Sequence, residues 1–177
     1  MLKLFNKRYR QLTNNEIDML KPIFSNSINY SIVKIFKDRY LPFQNKNIAL
    51  SPNGNIYFDE KHHQDDFSIS SNPDKMWFIH EMTHVWQYQN GFKIIKNALK
   101  LSLKGQYKNN RAYCYNHTCL TMDFCSFNFE QQATIVEHYF AGKYLNISKY
   151  IDRLAYLEDV LKDFLKDPKD KKLISCI

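Results

Sequence analysis

Polar and apolar positions change period several times along this chain, and each change marks a predicted element. Leu12-Thr13-Asn14-Asn15-Glu16 is a capping box, with Thr13 as N-cap and Glu16 at N3, and it opens a helix through about Ile23. Ile17, Leu20 and Phe24 give that helix a buried stripe, and Pro22 loosens its end. Ile28 to Phe36 alternates with period two and predicts a strand. Asn47-Ile48-Ala49-Leu50 and Ile56-Tyr57-Phe58 flank Ser51-Pro52-Asn53-Gly54-Asn55, and Asn-Gly between two apolar runs predicts a hairpin. From Met76 to Gln87 the residues turn apolar nearly all round, the mark of a buried helix. Asn72-Pro73-Asp74 starts it with a cap, a proline and a first-turn acid, and Gly91 stops it.

The second half reads as mostly helical. Phe92 to Leu103 suits a helix ended by Gly105, and Tyr107 to Tyr115 reads as extended, its tyrosines available to line a cleft. Asn128 caps a helix whose stripe is Phe129, Ala133, Val136 and Phe140. Ser148 to Leu165 is a single amphipathic helix, broken by Asp167-Pro168. The predicted fold class is α+β: a small N-terminal sheet, antiparallel or mixed, packed on the buried helix and followed by helices. Residues 1–177 form one domain, with helix and sheet in 10–71, the buried helix in 72–91, two more helices in 128–166 and a basic tail in 167–177.

Composition fits that picture. A chain of 177 residues with 44% hydrophobic and 15% aromatic content excludes disorder and is long enough to bury roughly two thirds of its unfolded surface. The net charge of +7 arises from 25 basic and 18 acidic residues, spread along the chain with clusters only near the ends (Lys3, Lys7, Arg8, Arg10; Lys166, Lys169, Lys171, Lys172). Charge so diffuse reads as solvated surface, so no specific nucleic-acid partner is expected. No apolar run is long enough for a membrane span, and Met1 to Lys7 lacks the apolar run of a secretory signal. The expectation is a chain made in the cytoplasm and carried elsewhere only by a dedicated machine. Cys114, Cys119, Cys125 and Cys176 show no CxxC spacing, so reduced thiols are expected and no separate cysteine metal site.

The chemistry lies in the buried helix. His80-Glu81-Met82-Thr83-His84 puts two imidazoles one helical turn apart on one face, able to chelate a single zinc ion. Glu81 beside them is placed to take a proton from water rather than to bind metal. Burying two histidines and a glutamate is costly unless something binds them. A catalytic zinc needs a third protein ligand, and Glu130, in the first turn of the Asn128-capped helix, is the preferred one, with Glu137 its rival. Lys61-His62-His63-Gln64-Asp65-Asp66 reads as a solvated loop instead of a second site. In the reaction this set predicts, hydrolysis of an amide, Glu81 is the base and Tyr115, Tyr113 or His138 donates a hydrogen bond to the oxyanion.

His80-Glu81-Met82-Thr83-His84 followed by Glu130-Gln131-Gln132-Ala133 resembles the gluzincin clan of zinc peptidases, whose third ligand heads a Glu-x-x-Ala or Glu-x-x-x-Asp helix. More narrowly, Leu12 to Glu16, Ser27 to Ile35 and His84-Val85-Trp86-Gln87 are similar to small bacterial proteins encoded near Vgr or Rhs elements of type VI secretion and polymorphic-toxin systems. The resemblance covers about residues 10–142. It implies a zincin-like fold, a delivered effector acting on a peptide or a peptidoglycan peptide, and a secretion-spike or immunity protein as partner. One position departs: the clan's Asp that orients the first zinc-binding histidine falls on Thr134, leaving Glu137 or His138 to do so. Two other functions compete, a non-catalytic zinc-stapled adaptor or cargo protein of a secretion spike, and a basic module binding an anionic polymer.

Overall fold

A computed structural model describes residues 8–115 and 122–174. The fold is α+β, mostly helical with a small three-stranded sheet. Its elements are β1 (Tyr9–Gln11), α1 (Asn14–Phe24), β2 (Lys34–Lys37), β3 (Ile56–Phe58), α2 (Asn72–Gln89), α3 (Ile94–Leu103), α4 (Phe129–Lys143), α5 (Ser148–Ile151) and α6 (Leu154–Lys166).

The sheet runs β1-β2-β3, with β1 antiparallel and β3 parallel to β2. Ile35, Ile56 and Phe58 turn into the core, while Tyr9, Phe36 and Tyr57 form an aromatic ladder on the other face, Phe36 stacked on Tyr57 at 4.5 Å. Membership differs from the sequence expectation. The Ile28–Phe36 segment is a strand only from Lys34, because Tyr30–Ile32 forms a 3-10 turn. Polar side chains take its backbone groups: Gln89 accepts from the Asn29 N–H and donates to the Asn29 carbonyl. The Asn47–Leu50 half of the hairpin shrinks to one antiparallel bridge, Leu50 to Tyr57, since Pro52 brings no N–H and the other edge of β3 belongs to β2.

The capping box of α1 forms as its sequence predicts. Its Glu16 does more than cap. The carboxylate is fully buried, accepts two bonds from Arg10 at 2.7 and 2.8 Å, and accepts the N–H groups of Thr13 and Phe67. One side chain thereby ties β1, α1 and the turn ahead of α2 together.

Helix α2 starts one residue earlier than expected, capped by Ser71, and Gly91 past its end adopts a φ of +97°. Every residue from Phe78 to Gln87 is buried. It packs on α4 in the most extensive contact between any two elements of the described residues, and its other faces meet the sheet and α6. Trp86 anchors the far side, edge-on to Phe164 and donating its indole N–H to the Pro168 carbonyl at 2.7 Å.

Two further expectations are corrected. Tyr107–Tyr115 is not extended but a chain of turns, with Asn109 and Asn110 left-handed at φ 56° and 57°. The single helix from Ser148 is split at Asp152-Arg153 into α5 and α6. The break lets Tyr150 and Leu154 abut α4 at Gly142, where a Cβ would stand 2.9 Å from the Tyr150 carbonyl oxygen. Reduced thiols are also only half of the outcome: Cys114 is free and exposed, but Cys125 is disulfide-bonded. Cys119 and Cys176 lie outside the described residues, as do Lys3 and Lys7 of the N-terminal basic cluster.

Replacing Glu16 by Ala would strand the Arg10 guanidinium and two N–H groups. The expected cost is about 3–5 kcal/mol, read as a lower urea midpoint with unchanged slope.

Candidate metal centre

Four side chains of α2 and three of α4 build the centre. His80 and His84 lie one turn apart with ring centroids 4.9 Å apart, and both Nε2 atoms face Glu130 Oε2, at 3.4 and 3.1 Å. His80, His84 and Glu130 are all buried, and their donor atoms fall within 4.8 Å of one another. Glu130 reaches them because Asn128 caps α4 with the glutamate in the first turn, directed at α2.

The outer nitrogens settle how the rings are held. Gln132 donates through Nε2 to the carbonyls of Phe124 and Leu173, so it shows its oxygen to Gln87. Gln87 donates through Nε2 to that oxygen and to the Phe129 carbonyl, so it shows its own oxygen to His84 Nδ1 at 2.8 Å. Amide orientation at each step is fixed by the carbonyls at the end of the chain. His84 therefore donates from Nδ1 and turns Nε2 to the Glu130 carboxylate. At 3.1 Å that contact is satisfied by a shared proton or by a metal ion in its place.

His80 is held differently. Its Nδ1–H donates to Glu137 at 3.1 Å. Glu137 thus takes the orienting task that Thr134 cannot perform, while Thr134 bonds back to the Glu130 carbonyl within its own helix. Glu130 and Glu137 stand two turns apart on α4 and address the two nitrogens of one imidazole. Burial alone would lower the His80 pKa, but these two carboxylates outweigh it and lift it to about 10. Burial alone would raise Glu130, but His84 and His80 hold it well below the usual carboxylate range.

The residues fit a zinc ion. Tetrahedral bonds of about 2.0–2.2 Å to nitrogen and oxygen place neighbouring ligand atoms about 3.3 Å apart, and the two Nε2-to-Oε2 distances are 3.4 and 3.1 Å. Each histidine has the outer hydrogen-bond partner that metal-bound imidazoles require.

Glu81 is buried beside the ligands but is not among them; its Oε2 accepts a 2.6 Å bond from Ser51. The centre opens into a cleft of about 1090 Å³. Glu81, Tyr107 and Tyr113 line it, with Leu50, Trp77 and Ile95 among its apolar walls. Tyr107 donates to Glu130 Oε1 at 2.9 Å. Of the expected oxyanion donors, Tyr115 and His138 bond to each other at 2.6 Å and neither lines the cleft, whereas Tyr113 does. His138 also stacks on Tyr150, and burial pushes its pKa down to about 4. Sequence reasoning gave Gln87, Gln132 and Ser51 no role in the site, and Tyr107 only that of a cleft-lining tyrosine, which it has beside its bond to Glu130. The one available signal was two glutamines on helix faces otherwise destined for burial.

No protein-family model matches the chain. It is 38% identical over 140 residues to the type VI secretion system spike protein VgrG2b of Pseudomonas aeruginosa. That match takes in 76% of this chain but only 13% of the spike protein. Among solved structures, the effector domain of Pseudomonas aeruginosa VgrG2b superimposes with a TM-score of 0.73 at 33% identity, over 88% of this chain and 89% of that domain. The chain belongs to the family of the VgrG2b effector domain. The spike protein's remaining length has no counterpart in the match, and the family relation concerns the effector domain alone.

Metal uptake must displace the proton that His80 shares with its two carboxylates. Metal affinity should therefore keep rising with pH up to about pH 10, with about one proton released per ion below that, measurable by titration calorimetry in buffers of different ionisation enthalpy. Gln87→Leu should weaken zinc binding by about 10–100-fold without unfolding the chain, since it removes the His84 acceptor.

Proposed function

We propose that this protein is a zinc-dependent peptidase of the gluzincin type, with a zincin-like fold, acting as a type VI secretion effector. One observation carries the reading: three buried donor atoms converge from two helices at distances suited to zinc, and a buried carboxylate that is not a ligand stands beside them. Kinship with an effector domain of a secretion spike supports delivery by such a machine and a spike protein as partner. No helix of the described residues is long and apolar enough to cross a membrane.

Zinc held by His80, His84 and Glu130 would supply acidity to a water molecule and polarise a substrate carbonyl. The rest falls to the chain's own side chains. Glu81 accepts the proton of the attacking water and returns it to the leaving amine. Ser51 fixes the Glu81 carboxylate by its hydrogen bond and so aims the base. Tyr107 occupies the second oxygen of Glu130, leaving Oε2 to the metal. Tyr113 takes the oxyanion role, because it lines the cleft and the Tyr115 hydroxyl is committed to His138. The cleft walls are mainly aliphatic and aromatic, and no Lys or Arg is among them. That lining suits a polypeptide segment with apolar side chains better than a short peptide held by its terminal carboxylate.

Glu81→Gln should keep the metal and lose about 10²–10⁴-fold in hydrolysis of an unfolded protein substrate; undiminished cleavage would remove Glu81 as the base. Glu130→Ala should lower zinc occupancy, and unchanged stoichiometry would hand the third ligand to Glu137. Tyr113→Phe should cost about 10²–10³-fold in kcat, where Tyr115→Phe should cost little. Zinc bound at full occupancy, with no cleavage in any peptide or peptidoglycan screen, would favour the adaptor.

A further inference from the structure

Helix α3 carries its side chains in three stripes, and only one of them faces the protein. At 3.6 residues per turn, Ile94, Ala98 and Leu101 share the inner face, and Ile94 is the one buried residue of the helix. Next around the cylinder come Ile95, Leu99 and Leu103, spaced by one turn each. They are 58%, 59% and 81% exposed. Beyond them run Lys93, Lys96, Lys100 and Lys104, all exposed. A single exposed leucine needs no explanation, but a continuous aliphatic stripe flanked along its length by lysines does.

Charge along this stretch is one-sided. Between Glu81 and Asp123 the chain has no acidic residue, while Lys93, Lys96, Lys100, Lys104, Lys108 and Arg111 all fall in that interval. Among the described residues none of these six cations forms an ion pair with an acid.

We propose that α3 docks this protein on an anionic lipid bilayer, with the Ile95-Leu99-Leu103 stripe at the boundary of headgroups and acyl chains and the lysines on lipid phosphates. The composition separates this occupant from others. Protein interfaces are rich in aromatics and arginine and poor in lysine at their cores, and α3 has neither an aromatic residue nor an arginine. A two-fold contact between copies of the chain would set the lysine stripes of both against each other. Nucleic acid would use the lysines and leave the aliphatic stripe in water. A helix of ten residues gives weak, reversible attachment, the behaviour of a peripheral protein. Ile95 belongs both to the stripe and to the lining of the cleft, so the docked face adjoins the cleft. Leu41 and Ile48 line the same cleft and are half exposed, and Phe43 between them in sequence is 99% exposed.

The full chain is sedimented with vesicles of phosphatidylcholine alone and of an equimolar mixture with phosphatidylglycerol, at low and at high salt. Binding to the mixed vesicles is expected to be at least about tenfold tighter and to weaken with salt. The double variant Leu99→Ser, Leu103→Ser, whose side chains are in water already, should keep its circular dichroism and lose the vesicles. The double variant Lys96→Glu, Lys100→Glu should lose the preference for the anionic lipid. No binding of the wild type at low salt overturns the proposal, and so does equal binding by the serine variant, which would mark plain charge attraction. Binding of single-stranded DNA as tight as that of vesicles, and unaffected by the serine substitutions, would make the patch a polyanion site. Conversion of a dimer to a monomer by the serine substitutions, with no vesicle binding, would make the stripe a contact between copies. Either result overturns the proposal, and none of these readings depends on whether the protein hydrolyses anything.

Discussion

The close approach of His84 Nε2 to the Glu130 carboxylate is the contact on which the rest of the centre depends. Both atoms are buried and 3.1 Å apart, so either a proton or a metal ion must lie between them. The fold holds them there by packing α2 on α4 and by running a line of amide dipoles from the Leu173 and Phe124 carbonyls through Gln132 and Gln87 to the imidazole. Each amide accepts on one side and donates on the other, so neither glutamine can turn over without leaving buried groups unpaired. The fitness of the centre for a metal is thus written partly in residues outside the His80, His84 and Glu130 set.

Much of this was legible in the sequence, and the reasons differ residue by residue. His80, Glu81 and His84 declare themselves because helical geometry converts their spacing into a shared face. Glu130 could be reached from the capping residue Asn128, which fixes where the helix begins and hence which way its first turn looks. Choosing between Glu130 and Glu137 was harder, as residues seven apart lie on the same side of a helix. The two turn out to address opposite nitrogens of one ring. The amide line was hidden, because Phe124, Gln132 and Leu173 come from segments far from His84 in the chain, and Phe124 and Leu173 act through backbone carbonyls, which any residue possesses.

The sheet was the least legible part. Strands of three or four residues carry too few positions for a period to show, and Tyr9-Arg10-Gln11 alternates nothing apolar. The Asn47–Leu50 segment has the composition of a strand, yet it serves as a wall of the cleft with one bridge to β3. The charge on α3 escaped notice for a related reason. Lysines interleaved with leucines and isoleucines look diffuse along the chain, and only the helix sorts them into stripes.

The place of Leu173 has a consequence for the life of the chain. Its carbonyl is one of the two that fix Gln132, and it lies in the last described turn, nearly a hundred residues after His84. Chains are made and folded in order from the amino end. While the ribosome has yet to pass Leu173, α2 and α4 already exist but the far end of the line has only one of its two anchors, the Phe124 carbonyl, and the Gln132 amide is held less firmly. The mature grip on a metal ion is therefore among the last things this domain acquires, and a nascent chain stalled short of that turn carries the motif without it.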